Sequence, residues 1–493
     1  MKLITSIFLV LLIFNSRAEG QNFVIPRLEP ETKALEFYKL GRKNSSQPVY
    51  TWTEFAQISL WASGDNTSSN FEKIRTMANN VINSKELPVS QKEKAEFILT
   101  YLHSNVLKTY QLNQTRVDII LSNGRYNCVS SAVLYMILCE AAGIATSGVV
   151  TRDHALVTVH INGEDIDVET TNRYGFDPGN RKEFHDQFGR LTGFSYVPAR
   201  NYRDRQTISK IELVSLIINN RISEHEKQNR FTDAVPLSID RAALLLGESL
   251  ADNSAAGPQD SLFEDPRKEL MERLFNYGAW LLRSNREEDC IRWANAASVR
   301  YSDPDHWQEF AMAAVNNRIA RYIKENKTAE ARDFLSNQKI NLTDSNYIQL
   351  DNLLTDAELL RRANQIKNLS EGDAVVSAIE KERRKIGEKR ALELRTFSVL
   401  KTASLLSAAP DRNWNAAIQY IEKALSDFGS NRDLEHALIT YQSNLATDFH
   451  NRFAAEWNRK NYEEAQRILN EGLSEFPNDR QLLADRDIVN RNQ

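Results

Sequence analysis

The stretch from Val117 to Asp177 constrains the fold most, because a helix signal and a hairpin signal follow each other within it. Cys128 comes directly after a turn-like Asn-Gly-Arg-Tyr-Asn segment and opens a run of apolar residues at helical spacing. Gly143 ends that run at a position where helices favour glycine. The pattern therefore predicts a helix with Cys128 at its N-terminus.

A β-hairpin is predicted directly after this helix. Following His154, apolar residues alternate with other residues up to Ile161, which is the period of a strand. Asn162-Gly163 is a strong signal for a two-residue hairpin turn, and a second strand follows it from Glu164 to Thr170. Three carboxylates share one face of the second strand: Asp165, Asp167 and Glu169.

These residue types together indicate a nucleophile site. A thiol at a helix N-terminus lies at the positive end of the helix dipole, which favours the thiolate. A histidine on a neighbouring strand can form an ion pair with that thiolate, and a carboxylate on the partner strand can orient the histidine. The alternative is structural: Cys128 as a small buried residue and His154 as a hydrogen-bonded polar group.

Two segments resemble the transglutaminase-like superfamily. NGRYNCVSSAVLYMILCEAAGI is similar to its cysteine segment, and DHALVTVHINGEDIDVETT to its histidine strand, hairpin and acidic strand. The resemblance implies an α+β papain- or transglutaminase-like domain, in which the cysteine helix packs on an antiparallel sheet. It assigns Cys128 as nucleophile, His154 as base and Glu169 as orienting carboxylate. The sequence departs from the family in having Glu169 where Asp is commoner, with Asp167 as an alternative third member, and Leu156 where an aromatic residue is frequent.

Attack of a thiolate on a carbonyl carbon produces an oxyanion that needs hydrogen-bond donors. The backbone N–H of Cys128, at the start of the helix, is the natural first donor. Candidates for a second donor come from analogy alone: Asn127, Gln111 and Gln114. The acyl-enzyme can pass to water or to an amine, and the sequence does not choose between hydrolysis and transfer.

Composition limits the remaining function classes. The net charge of −4 gives no electrostatic basis for nucleic-acid binding. Three cysteines do not form a disulfide framework. We predict no metal site and no cofactor, because the histidines nearest to carboxylates lie on a different element from the cysteines.

Residues 1–18 have the pattern of a secretory signal peptide. Lys2 precedes an apolar core from Leu3 to Phe14, and Ser16-Arg17-Ala18 provides small residues for cleavage. The alternative is an uncleaved N-terminal anchor. We predict an exported protein, periplasmic or extracellular, with no stable membrane insertion after cleavage.

Three segments follow the predicted signal peptide. Residues 19–89 are predicted as helical and residues 90–235 as the transglutaminase-like domain, whose first helix is predicted from Ser90 to Tyr110. Residues 236–493 contain long helical patterns and similar segments around Ala417 and Ala465. These segments resemble tetratricopeptide repeats and imply an all-α solenoid. A helical bundle without repeats is the alternative.

The features together predict an exported, cysteine-dependent acyl-transfer enzyme, either a peptidase or amidase or a transglutaminase-like enzyme. Its substrate would be a peptide or protein amide, and its helical region would bind a protein or polymer. The alternative is a solenoid adaptor or scaffold that is not an enzyme and carries a relic transglutaminase-like domain.

Overall fold

The computed structural model of the 493-residue chain describes residues 23–43, 49–180, 184, 205–251, 265–301, 303–408 and 412–492. The predicted signal peptide, residues 1–18, lies outside them. Contacts between residues divide the chain into two compact units, Met1–Ala311 and Met312–Gln493. The boundary predicted near residue 236 falls within a helix of the first unit, Phe231–Leu246.

The predicted fold class is wrong for this chain. Of the residues that the structure describes, 72% are helical and 6% are in strands, so this part of the chain is mostly all-α and not an α+β papain- or transglutaminase-like domain. Strand signals were concentrated around the hairpin, and the longest described strand, Ala155–Ile161, has only seven residues. Segments with apolar residues at helical spacing precede and follow it. The all-α prediction for the C-terminal part agrees with the structure.

The described part of the first unit consists of helices around two small sheets. Its helices are α1 (Thr32–Gly41), α2 (Trp52–Ala62), α3 (Ser68–Ile82), α4 (Gln91–Asn105), α5 (Val117–Asn123), α6 (Cys128–Ala141), α7 (Lys210–Lys227), α8 (Phe231–Leu246), α9 (Pro266–Arg283) and α10 (Glu287–Arg300). Its strands are β1 (Thr109–Tyr110), β2 (Arg125–Tyr126), β3 (Ala145–Val150), β4 (Ala155–Ile161), β5 (Glu164–Val168) and β6 (Gln206–Ile208).

The larger sheet is antiparallel and has the order β5-β4-β3-β6. The predicted hairpin turn is confirmed, because Asn162 and Gly163 alone connect β4 to β5 and both have positive φ, 53° and 83°. The hairpin places Thr158 opposite Asp167 and His160 opposite Asp165. The register therefore sets the order of polar side chains along one face.

Helix α6 forms the centre of the first unit. Every residue from Cys128 to Cys139 is buried, as expected for a helix that is apolar on all sides. It contacts α2, α3, α4, α5, α7, β3 and β4. Its C-terminus follows the prediction, since Gly143 has a φ of 74°. Helix α6, which carries Cys128, is therefore held in place by packing on most of its sides.

The helix predicted from Ser90 to Tyr110 is shorter in the structure. It ends at Asn105, and Thr109–Tyr110 forms strand β1, which pairs in parallel with β2. The amides of Lys108 and Thr109 donate to the carbonyl of Gly124, at 2.8 Å and 3.2 Å. These bonds come from a distant segment of the chain, so helical periodicity could not reveal them.

The described part of the second unit is helical. The helix that crosses from the first unit is α11 (Pro304–Lys324), and the rest are α12 (Thr328–Asn337), α13 (Asp344–Asn364), α14 (Leu369–Lys381), α15 (Arg383–Ile386), α16 (Glu388–Leu406), α17 (Trp414–Phe428), α18 (Arg432–Asn458), α19 (Tyr462–Glu475) and α20 (Arg480–Asn492). Small residues allow close packing here, since a Cβ on Gly472 would lie 3.0 Å from the Phe449 side chain. The tetratricopeptide assignment stays a prediction.

Among the described residues, none of the helices combines the length and the apolar character that crossing a bilayer requires.

Candidate active site

Cys128 is the first residue of helix α6, as the sequence predicts. Asn127 caps the helix: its side chain accepts a hydrogen bond from the Ser130 amide at 3.0 Å, and the Ser130 hydroxyl accepts one from the Asn127 amide. The Cys128 residue is 8% exposed and forms no disulfide. Its backbone N–H lies in the first turn, where no helical carbonyl is available to accept it.

His154 directly precedes strand β4, and its carbonyl accepts a hydrogen bond from the Thr151 amide at 2.9 Å, which closes the turn from β3. The imidazole Nε2 lies 2.6 Å from Oε2 of Glu169. The Cys128 side chain lies near the same imidazole and raises its pKa. Because Glu169 occupies Nε2, Nδ1 is the ring nitrogen that can face the thiol. The imidazole thus lies between a thiol and a carboxylate.

The charge state of His154 follows from these neighbours. Burial by itself lowers the pKa of His154, but the negative charge of Glu169 and the hydrogen bonds to Cys128 and Glu169 outweigh it and raise the pKa well above its ordinary value. The side chains of His154 and Glu169 are 7% and 0% exposed. An imidazolium is therefore stabilised at this position, as required for a partner of a thiolate.

Glu169 is held by the chain just beyond strand β5. Its Oε1 accepts hydrogen bonds from the amide of Thr171 at 3.2 Å and from the Thr171 hydroxyl at 2.7 Å, which leaves Oε2 for His154. Its backbone amide donates to the carbonyl of Gly175 at 2.8 Å. A Cβ on Gly175 would lie 1.9 Å from the Glu169 carbonyl oxygen, so only glycine permits this close approach.

Asp167 does not join this group. Its two carboxylate oxygens accept hydrogen bonds from Arg205, at 2.7 Å and 2.5 Å, and one of them also accepts a bond from the Thr158 hydroxyl at 3.0 Å. The structure therefore brings together Cys128, His154 and Glu169 and places Asp167 in a separate ion pair.

A second histidine on the sheet also contacts a carboxylate, but it lies at the surface. His160 contacts Asp165 at 2.7 Å and the Ser147 hydroxyl at 2.9 Å. The side chains of His160 and Asp165 are 39% and 73% exposed. These contacts join adjacent strands at the surface, where water weakens them.

Two aromatic residues bind the backbone directly after Glu169, and sequence analysis did not identify either of them. The His103 ring donates from Nε2 to the carbonyl of Thr170 at 3.1 Å, and the Tyr126 hydroxyl donates to the carbonyl of Thr171 at 3.3 Å. Burial lowers the pKa of His103 to about 4, so this ring is neutral at physiological pH. Tyr126 lies two positions before Cys128, and His103 lies on the apolar stripe of α4. The signal that could have identified both residues is a polar side chain within an otherwise apolar segment.

The other two cysteines lack such surroundings. Cys139 lies fully buried within α6, and burial raises the pKa of its thiol. Burial also raises the pKa of Cys290 to about 12. Neither thiol is poised to ionise at neutral pH. Among the described residues, no group of three or more His, Cys, Asp or Glu side chains is arranged to hold a metal ion.

Two of the suggested oxyanion donors are already engaged. The Asn127 side chain accepts from Ser130 and donates to the carbonyl of Leu112 at 3.0 Å. The Gln114 amide group donates to the carbonyl of Arg116 at 3.0 Å, and its oxygen accepts from the Arg116 amide. The third suggestion, Gln111, has an exposed side chain. Analogy therefore did not identify the second donor.

The geometry defines a thiol–imidazole–carboxylate site at a helix N-terminus. Comparisons of the chain with family models, curated proteins and solved structures find no match. The chemistry of the site must therefore be argued from its own residues.

Proposed function

We propose that the protein is an acyl-transfer enzyme that uses Cys128 as nucleophile, His154 as general base and acid, and Glu169 as the carboxylate that orients His154. The observation that carries the proposal is the 2.6 Å contact between His154 and Glu169, buried beside a thiol at a helix N-terminus. The similarity of the cysteine and histidine segments to the transglutaminase-like superfamily supports the same roles.

The reaction begins from the thiolate–imidazolium pair, in which His154 already holds the proton of Cys128, and the sulfur attacks the carbonyl carbon of a peptide or amide. The negative charge that forms on the carbonyl oxygen is within the field of the α6 N-terminus, and the Cys128 N–H is a donor for it. When the intermediate collapses, His154 protonates the leaving amine and the acyl group stays on sulfur. Water or a second amine then releases it, again with His154 as base.

A buried charge at this site is stable only beside an opposite charge. With a neutral imidazole, the fully buried carboxylate of Glu169 would have an uncharged partner, and a thiolate at Cys128 would have no cation beside it. The state in which all three groups are charged is more stable, because the imidazolium of His154 then lies between two negative groups. This arrangement supports nucleophilic chemistry more than a purely structural role for Cys128.

The test uses p-nitrophenyl acetate as an acyl donor, followed by mass spectrometry of the peptides. We expect acetylation of Cys128 in the wild-type protein and none in Cys128→Ala. Cys139→Ala is the matched control, because it removes a thiol from the same helix and should keep the reaction. The yield of N-acetylated glycine ethyl ester, compared with that in Cys128→Ala, then distinguishes transfer to an amine from hydrolysis.

Acetylation that is equal at all three cysteines, or absent from folded protein, would contradict the proposal. The adaptor interpretation would then be favoured, with the helical second unit binding a protein partner. Export of the protein, with residues 1–18 removed, belongs to the same proposal. It would be tested by sequencing the N-terminus of the secreted or periplasmic chain.

A further inference from the structure

One buried hydroxyl near the site has no explanation in the fold. The Tyr110 hydroxyl is inaccessible to solvent and has no hydrogen-bond partner among the residues that the structure describes. The hydroxyl of Tyr126, which packs against it, donates to the carbonyl of Thr171. Most buried hydroxyls are satisfied, so an exception needs an explanation, and a catalytic role is one such explanation. Tyr110 is therefore a candidate for a role that appears only when substrate is bound.

The position of Tyr110 is fixed relative to Cys128. Strand β1 places it opposite Tyr126, two residues before the cysteine, and the Gln111 amide donates to the Tyr126 carbonyl at 2.8 Å. The two tyrosine rings meet edge to face, with centroids 5.9 Å apart. Because β2 leads directly into α6, the strand pairing ties the Tyr110 ring to the helix N-terminus.

A glycine makes this pairing possible. Gly124 has a φ of 75°, and a Cβ there would lie 2.7 Å from the carbonyl oxygen of Val106. Its own carbonyl accepts from the amides of Lys108 and Thr109, the residues that lead into Tyr110. The approach of the two segments is thus built into the backbone before any substrate binds.

The electrostatic surroundings keep the Tyr110 hydroxyl protonated. Burial raises its pKa far above neutral, and negative charge on Cys128, Glu169 and Tyr126 raises the pKa further. Tyr110 therefore lies within electrostatic range of the thiol of Cys128 and the carboxylate of Glu169. A hydroxyl that retains its proton is a hydrogen-bond donor throughout the working pH range.

We propose that Tyr110 is a catalytic residue whose hydroxyl donates a hydrogen bond to the oxyanion formed on the acyl group attacked by Cys128. This role rests on the proposed function of the site. It supplies the second donor, since the side chains of Asn127 and Gln114 are engaged in local hydrogen bonds. The first donor is the N–H of Cys128.

The bonds in this step balance without a further reactant. The sulfur–carbon bond forms, and the π-electron pair of the carbonyl moves to oxygen, where the Cys128 N–H and the Tyr110 O–H donate to it. Collapse restores the C=O bond and breaks the bond to the leaving group, which takes the proton held by His154. Tyr110 keeps its own proton throughout.

Two reagents separate this role from an effect on the thiol itself. Iodoacetamide alkylates sulfur by displacing iodide and forms no oxyanion. p-Nitrophenyl acetate acylates sulfur through an oxyanion and releases p-nitrophenolate, which needs no proton. In Tyr110→Phe we expect acylation of Cys128 to fall about 10²-fold, the usual effect of losing one such donor, and alkylation to be unchanged. We also expect an unchanged or higher Tm, because an unsatisfied buried hydroxyl is removed.

Tyr126→Phe is the matched control. Its hydroxyl is engaged with Thr171, so its loss should lower Tm and change acylation and alkylation by the same factor. If Tyr110→Phe likewise changes both rates equally, or changes neither, the oxyanion role is overturned while Cys128-dependent acylation, and with it the proposed function, still stands. If the wild-type protein shows no Cys128-dependent release of p-nitrophenolate, the proposed function fails and Tyr110 has no oxyanion to stabilise.

Discussion

Glu169 reaches His154 from a position just beyond the end of a strand. The alternation of the sequence placed Asp167 and Glu169 on one face of the strand, so both were candidates for the third residue of the triad. The structure separates them because the chain leaves the sheet after Val168, whereas Asp167 is bound by Arg205. Arg205 lies far along the chain, so no local pattern could have assigned it to Asp167.

We predict that Glu169→Gln reduces the acylation rate of Cys128 at least about 10²-fold, because His154 loses the carboxylate that holds its proton and orientation. It should also lower the free energy of unfolding by about 3 kcal/mol, since one partner of a buried pair is removed. Stopped-flow acylation and chemical denaturation measure the two effects.

Asp167→Asn is the control for that experiment. It keeps the size of the side chain and a hydrogen bond to Arg205, so it should lower the free energy of unfolding by only about 1 kcal/mol and leave acylation unchanged. A larger loss of acylation in Asp167→Asn than in Glu169→Gln would reverse the assignment of the third residue.

The raised pKa of His154 predicts a pH dependence of stability. A group whose pKa is higher in the folded than in the unfolded state stabilises the fold fully below its unfolded value, about 6.5 for histidine. That contribution is lost as the pH rises through the folded pKa. The difference in unfolding free energy between wild type and Glu169→Gln should therefore be largest near pH 6 and shrink toward alkaline pH. A difference that grows with pH would contradict the imidazolium.

At the scale of elements, the loop after strand β5 decides whether the carboxylate is held in place. The amide of Glu169 bonds to Gly175, and Val168 forms a bridge with Phe176, so the chain returns on itself. The described part of this loop holds the backbone of Glu169 in place, and the close approach of the two segments requires glycine at position 175.

We predict that Gly175→Ala lowers the free energy of unfolding by about 3 kcal/mol and slows acylation, because the new Cβ would displace the Glu169 carbonyl. Gly179→Ala is the control in the same loop, since a Cβ there meets no atom within 4 Å. Thermal melting and the p-nitrophenyl acetate assay compare the two variants. Equal effects of both substitutions would show that the loop does not position the acid.

Elements were predictable from the sequence wherever local chemistry determines them. The start of α6 at Cys128, its end at Gly143 and the Asn162-Gly163 turn all follow from local residue preferences. The end of α4 and strand β1 were not predictable. They depend on hydrogen bonds to Gly124, and the apolar period of the segment continues past the point where the helix stops.

At the scale of the whole molecule, the prediction failed in fold class. The resemblance implied a cysteine helix packed on an antiparallel sheet, but the strands are short and helices make up most of the structure. A resemblance that covers less than a quarter of the chain could assign site residues. It could not determine how the many helical segments outside it are arranged.

Cutting the chain tests the division into units. Ending it at residue 235 would remove most of α8, including Asp240, which pairs with Arg27 at 2.6 Å, and the buried Ile239. We predict that a fragment of residues 19–311 unfolds cooperatively and acylates Cys128, whereas residues 19–235 do not fold. Circular dichroism during thermal melting measures this, and a stable 19–235 fragment would support the boundary near residue 236.

The central claim is that Cys128 and His154 form a thiolate–imidazolium pair. The most direct test is the rate of Cys128 alkylation by iodoacetamide against pH, in wild type and in His154→Ala. We predict rapid alkylation of the wild-type protein near pH 6 and loss of that reactivity in His154→Ala, because the imidazolium stabilises the thiolate. A profile that is slow near pH 6, or the same in both proteins, would identify Cys128 as a structural cysteine and contradict the account.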